Sequence, residues 1–119
     1  MYRALIIDDE EIVRNGIRDL LDWNEAGFEI CGEGVDGRDG LEKILRYQPH
    51  LVLVDIKMPG LSGIEVIEEA RKRQFEGQFI ILTGFSEFEF AKSAISLGVK
   101  EYLLKPIDDR ELVRIIQNI

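Results

Sequence analysis

Four short apolar runs constrain this chain more than any other feature. Ala4-Leu5-Ile6-Ile7, Leu51-Val52-Leu53-Val54, Phe79-Ile80-Ile81-Leu82 and Tyr102-Leu103-Leu104 recur along the sequence, unbroken by polar residues and rich in branched side chains. Runs of this kind read as strands covered on both faces. Phe28-Glu29-Ile30-Cys31 alternates instead, which fits a strand nearer the edge of a sheet. Cys31 is the single cysteine, so no disulfide forms within the chain, and in this apolar run it reads as a buried, unreactive thiol.

Between the runs the apolar spacing is helical. Val13, Ile17, Leu20 and Leu21 share one face, as do Leu41, Ile44 and Leu45. Ile64, Ile67 and Ala70 make a third stripe, Ala91, Ala94 and Ile95 a fourth, and Leu112, Ile115, Ile116 and Ile119 a fifth. Three helix starts carry an oxygen-bearing cap with Glu three places on: Ser62 with Glu65, Ser86 with Glu89, and Asp108 with Glu111. Gly98 follows the fourth stripe, where a helix-ending glycine is expected. Strict strand–helix alternation implies parallel strands, right-handed crossovers and helices on both faces. The compact five-strand solution is a doubly wound, flavodoxin-like (βα)5 α/β sheet of order 2-1-3-4-5. With 119 residues the chain suits one domain, residues 1–119, and no linker or repeat divides it. No stop signal follows the last stripe, so a longer parent protein is expected.

In such a sheet, ligands bind beyond the carboxyl ends of the strands. There the sequence places Asp8-Asp9 after strand 1, Asp55 after strand 3, Thr83 after strand 4 and Lys105-Pro106 after strand 5. Each has an ordinary alternative. Asp8 and Asp9 suit the start of the first helix, as Glu10 and Glu11 do; Asp55 suits a turn before Met58-Pro59-Gly60; a lone Thr or Lys suits a cap or a solvated strand end. Their joint arrival at one edge is the signal. Three converging carboxylates repel one another and call for a cation. Hard oxygen ligands suit Mg²⁺, which leaves positions for a phosphate oxygen. A carboxylate can attack phosphorus, and Asp55, ending a central strand, is the best placed to do so. Asp8 and Asp9 would hold the metal, and Thr83 and Lys105 would face the phosphoryl oxygens.

The net charge of −8 argues against gripping a nucleic-acid backbone. No apolar stretch approaches the ~20 residues that span a membrane, and no signal peptide begins the chain, so a cytoplasmic location is expected. His50 follows Pro49 and reads as a loop residue; without a second His or a cysteine beside it, zinc is not expected.

Asp8-Asp9, Asp55-Ile56-Lys57-Met58-Pro59-Gly60 with Gly63, Thr83-Gly84 and Tyr102-Leu103-Leu104-Lys105-Pro106 together resemble the ordered motifs of receiver domains of two-component response regulators, across essentially the whole chain. The resemblance implies that Asp55 accepts a phosphoryl group from the phosphohistidine of a sensor histidine kinase. It implies Mg²⁺ on Asp9, Asp55 and the backbone carbonyl of Lys57, with Asp8 acting through bound water, and Lys105 paired with the phosphoryl group. Thr83 and Tyr102 would form the switch, altering the face made by the fourth helix, fifth strand and fifth helix. That face, with Lys92, Lys100, Asp108, Arg110 and Arg114 among its charges, would support homodimerisation on phosphorylation, although mixed charge also describes any solvated surface. The Lys105-Pro106 bond would be cis. Taken alone, Tyr102 reads rather as an edge aromatic with a wet hydroxyl.

Asp22-Trp23-Asn24-Glu25-Ala26-Gly27-Phe28-Glu29 and Gly84-Phe85-Ser86-Glu87-Phe88-Glu89 look like receivers attached to AraC-type DNA-binding output domains. DNA binding and transcriptional control would then belong to a domain outside this chain. Trp23 also reads as a hydrophobic lid over the corner between helix 1 and strand 2. Lys57 and Phe85, each two residues past a site residue, are expected to tune phosphoryl lifetime through water access.

Competing classes fit less well. A phosphatase with an aspartyl nucleophile would carry Asp-x-Asp on strand 1 and a cap insert, whereas this strand ends in adjacent aspartates, so an enzyme with a separate substrate is not expected. A flavin module would need a phosphate loop where Asp8-Asp9-Glu10-Glu11 stand. A receiver-like domain that has lost phosphoacceptance would not be expected to keep all of Asp8, Asp9, Asp55, Thr83 and Lys105.

Overall fold

The strands form where the unbroken apolar runs lie, with one or two extra residues at their ends. A computed structural model describes residues 1–84 and 96–119. It contains β1 (Tyr2–Ile7), α1 (Glu11–Leu20), β2 (Phe28–Gly34), α2 (Gly37–Tyr47), β3 (Leu51–Asp55), α3 (Gly63–Lys72), β4 (Gln78–Thr83), β5 (Glu101–Leu104) and a C-terminal helix (Asp109–Gln117). All four strand pairings are parallel, and the order is β2-β1-β3-β4-β5, as expected.

Side chains alternate across each strand and so build two cores. Leu5, Ile7, Val52, Val54, Phe79 and Ile81 pack beneath α2 and α3, against Ile44, Val66, Ile67 and Ala70. Ala4, Ile6, Leu51, Leu53, Ile80 and Leu82 pack on the opposite face with Ile17 of α1 and Leu112, Ile115 and Ile116 of the C-terminal helix. Nearly all of these residues are fully buried. Each such branched side chain contributes about 1.5–3 kcal/mol relative to exposure, which is why these runs dominate the topology.

The helix stripes are narrower than expected. In α1 only Ile17 of the predicted face is buried, Val13 and Leu20 are half-buried, and the helix ends before Leu21. Ser62 and Glu65 make the full reciprocal capping box on α3. Asp108 does cap the C-terminal helix, but by accepting from the Arg110 N–H at 2.8 Å rather than through a Glu111 box. Gly98 takes the left-handed φ of +74° expected of a helix-ending glycine. The fourth helical stripe (Ala91, Ala94, Ile95), its Ser86–Glu89 cap, Phe85, Glu87, Phe88 and Lys92 lie outside the described residues.

Cys31 departs from its expected burial. The β1–β2 register slips between Ala4 and Leu5, pairing Ala4 with Ile30 and Leu5 with Gly32, so Cys31 is the extra residue of a bulge on an edge strand. It is therefore half-exposed, and what burial it has pushes its thiol pKa up. Trp23 is the lid that its position suggested: it is buried, its indole N–H donates to Ile17 O at 3.1 Å, and its ring meets Phe28 edge-on at 6.3 Å.

Candidate functional site

The strand ends bring the five expected residues to one edge. Asp8 follows β1 and is fully buried. Its N–H donates to Gly34 O at 3.1 Å, Oδ1 accepts from the Glu10 N–H at 2.9 Å, and Oδ2 accepts from Lys105 Nζ at 3.1 Å. The Glu10 bond turns the chain from strand into helix, which leaves Asp9 pointing outward and exposed. One carboxylate oxygen each of Asp8, Asp9 and Glu10 lie within 4.8 Å of one another. Glu10, expected only to favour the helix start, is the cap residue of α1 without a side-chain cap bond, and its carboxylate joins the acidic edge.

Asp55 ends β3 with 5% of its surface exposed. Burial, and then the negative charge of Asp8, push its pKa up to about 6, against the opposing pull of Lys105 and with a smaller contribution from Asp9. The loop after Asp55 folds back through Ile56 N–H to Leu82 O and Gly63 N–H to Ile56 O. Gly63 is required there, because a Cβ on it would lie 2.3 Å from Asp55 O and 2.8 Å from Ile56 Cα.

Lys105 follows β5, its N–H donates to Thr83 O at 2.8 Å, and its peptide bond to Pro106 is cis. Its ammonium stands 3.1 Å from both Asp8 Oδ2 and Asp55 Oδ1. Burial alone would lower its pKa, but the charges of Asp55 and Asp8 and their hydrogen bonds outweigh that and raise it. Repulsion among the carboxylates is therefore met in part by the chain's own lysine, a role that their charge alone had suggested for a metal. Thr83 ends β4, fully buried, with its hydroxyl donating to Gly84 O at 3.0 Å. Tyr102, beside Ile81 in β5, is half-buried against the core under α2 and α3. Lys57 is exposed and helps line an open cleft of about 630 Å³ together with Asp9, Glu10, Asp55, Gly84 and Lys105. Beside Met58 and Pro59, the carboxylates of Asp9, Glu10 and Asp55 in its walls suit a hard cation, and Lys105 suits a phosphate-sized anion next to it.

Sequence reasoning missed the charged layer behind this edge. Arg14 is 8% exposed, donates to Asp8 O and pairs with Glu33, which Arg18 also holds. Burial would raise the Glu33 pKa, but the two guanidiniums outweigh it and lower it. The signal was present in the spacing, since an arginine three residues before Ile17 shares its inward face. His50 lies at the other end of the strands, where Nδ1 accepts from the Arg3 N–H at 3.0 Å and the ring meets Tyr2 edge-on at 5.1 Å. It is a loop residue, as expected.

Comparison with known proteins agrees with this geometry. Residues 4–117 match the family model described as the response regulator receiver domain. The uncharacterized transcriptional regulatory protein YesN of Bacillus subtilis (strain 168) is 40% identical over 119 residues, which is 100% of this chain and 32% of that protein. The chain thus spans about a third of the length of that curated relative. The solved REC domain of AraT, a response regulator from Geobacillus stearothermophilus, superposes with a TM-score of 0.91 at 40% identity, covering 98% of this chain and 93% of that one. A two component transcriptional regulator AraC from Clostridium phytofermentans ISDg superposes with a TM-score of 0.89 at 30% identity, covering 99% and 92%. Sheet order, acidic edge and sequence match converge, and the chain belongs to the receiver domains of two-component response regulators.

Proposed function

We propose that this domain is a phosphorylation switch whose acceptor is Asp55. The observation that carries the reading is the double contact of Lys105 with Asp55 and Asp8 at the mouth of an open acidic cleft. In the transfer, a carboxylate oxygen of Asp55 bonds to phosphorus as the phosphorus–nitrogen bond of a kinase phosphohistidine breaks, and the bond pair leaves with the imidazole. Most of the barrier is met by positioning and charge neutralisation. Lys105 already stands within reach of Asp55 and supplies a fixed positive charge to the arriving phosphoryl oxygens. Thr83, one strand over, has a hydroxyl that can exchange Gly84 O for a phosphoryl oxygen. Tyr102, on the next strand, would follow it and change the surface around β5.

The acidic edge fits Mg²⁺: the clustered carboxylates of Asp8, Asp9 and Glu10, one buried and two open to water, offer hard oxygen donors beside Asp55. Asp9, Asp55 and the Lys57 carbonyl would hold the ion, with Asp8 acting through water. When bound, it would neutralise phosphoryl charge as a Lewis acid.

In this reading the domain processes only its own phosphoryl group and turns over no separate substrate. Its kinase partner, cytoplasmic location, dimerisation through the face around β5 and the C-terminal helix, and control of transcription through a separate DNA-binding output domain all belong to the same proposal. The acidic charge of −8 supports assigning DNA contact elsewhere. No described helix is long and apolar enough to cross a membrane. Incubation with acetyl phosphate and Mg²⁺, read by intact mass, tests the core of it. One added phosphoryl group is expected, and it should vanish in Asp55→Ala and without Mg²⁺; unmodified wild-type protein would overturn the reading.

A further inference from the structure

We propose that Arg14 is a positioning residue for the ion-binding edge, an inference that rests on the reading of Asp9 and Asp55 as ion ligands. Arg14 projects inward from α1 beside Ile17, whereas Glu11, Ile12, Asn15, Arg18 and Asp19 of the same helix face solvent. Its guanidinium joins two elements at once. Nη1 donates to Asp8 O at 2.7 Å and Nε donates to Glu33 Oε1 at 2.8 Å. Glu33 is itself held from three sides: its second carboxylate oxygen accepts from Arg18 Nε, and its backbone carbonyl accepts from Lys43 Nζ at 2.6 Å. Arg14 is thus a rigid strut anchored on β2 and ending on the backbone of Asp8.

That backbone oxygen belongs to the Asp8–Asp9 peptide. Because the peptide is planar, fixing its carbonyl fixes the direction in which the chain enters Asp9. The Asp8 side chain cannot do this for its neighbour, since both of its oxygens are engaged, with Glu10 N–H and Lys105. Asp9 is exposed, so the aim of its carboxylate depends on the backbone beneath it. Outer partners of metal ligands act in this way, by orienting the ligand rather than by touching the metal. Arg14 contacts the carbonyl of the first aspartate and so orients the second.

The test is a Mg²⁺ titration of the ¹⁵N-labelled domain, followed through the amide shifts of Asp9 and Asp55, at a temperature where every variant is folded. Arg14→Met keeps the aliphatic packing and removes both donors, and its Mg²⁺ affinity should fall on the order of tenfold. Arg18→Gln removes a positive charge from the same cluster but leaves the Asp8 contact, and should change affinity by less than about twofold. At saturating Mg²⁺, Arg14→Met should be phosphorylated by acetyl phosphate within about threefold of wild type, because Arg14 touches no reacting atom.

Unchanged affinity in Arg14→Met overturns the inference. Equal weakening in Arg18→Gln also overturns it, by assigning the effect to diffuse charge, and so does a phosphorylation defect that saturating Mg²⁺ does not repair. If Arg14→Met does not fold, Arg14→Gln takes its place. That side chain is too short to span Asp8 and Glu33 together, so the same loss of affinity is expected, and wild-type affinity in it overturns the inference equally. A wild-type domain with no Mg²⁺-dependent shift at Asp9 and Asp55 would instead remove the ion reading itself.

Discussion

Lys105 Nζ stands 3.1 Å from Asp55 Oδ1, and these two residues, fifty positions apart, tie the end of β5 to the end of β3. The same ammonium reaches Asp8 at 3.1 Å, so three strand ends share one cation. Asp8, Asp9, Glu10 and Asp55 set four carboxylates against Lys105, which leaves three negative charges before the exposed Lys57 is counted. An edge charged in this way attracts a further cation, and Lys105 limits how strongly.

Asp55→Asn should stabilise the domain at alkaline pH. The folded pKa of about 6 lies above the ordinary 3.8, so the folded state holds this proton more firmly than the unfolded chain does. The associated stability is fully present below pH 3.8 and is lost as pH rises through 6. Removing the charge should gain about 1–3 kcal/mol at pH 8 without Mg²⁺, a figure in which the opposing pull of Lys105 is already included. Urea unfolding at pH 8 and pH 4 checks this, with the difference expected to shrink at the lower pH.

Lys105→Met should separate ion binding from phosphoryl transfer. Without its resident ammonium the acidic edge binds Mg²⁺ more tightly, by about 1 kcal/mol or roughly fivefold at a partly exposed site. Acetyl phosphate transfer should fall at least ~100-fold, because a preorganised charge at the phosphoryl oxygens is gone. Mg²⁺ titration and intact mass over time measure the two effects independently.

Gly63→Ala tests how tightly the start of α3 is pressed against the end of β3. Its Cβ would lie 2.3 Å from Asp55 O, a backbone atom of a buried strand that cannot move cheaply. A loss of about 2–4 kcal/mol in unfolding free energy is expected. Slower phosphorylation should accompany it, since relief of the clash displaces Asp55.

Trp23→Phe should leave phosphorylation unchanged while lowering stability by about 1–2 kcal/mol. The indole N–H to Ile17 O bond is lost, along with part of the packing on Phe28, at a corner that, among the described residues, shares no hydrogen bond with the acidic edge. Thermal unfolding together with the acetyl phosphate assay checks both halves.

Much of this is legible without coordinates. The apolar runs specify strands and their burial on both faces, because only a covered strand tolerates three or four consecutive apolar side chains. Alternation with helical stripes then leaves few topologies, and the observed order is the expected one. The edge placement of the β2 segment follows from its alternation, but the bulge at Cys31 does not, since register depends on β1. The inward face of Arg14 is legible in its spacing from Ile17, but its partners, Asp8 O and Glu33, are not, because they come from other elements.

The sequence by itself determined which residues sit at strand ends, and so that Asp8, Asp9, Asp55, Thr83 and Lys105 share one edge of the sheet. Local pattern suffices for that, because strand period and crossover handedness are properties of short segments. Tertiary structure alone decided that Lys105 bridges Asp8 and Asp55, that Glu10 joins the acidic cluster, and that Arg14 braces it from behind. Those depend on distances of a few ångströms between segments far apart in the chain, where electrostatic energy varies steeply and no local pattern records it.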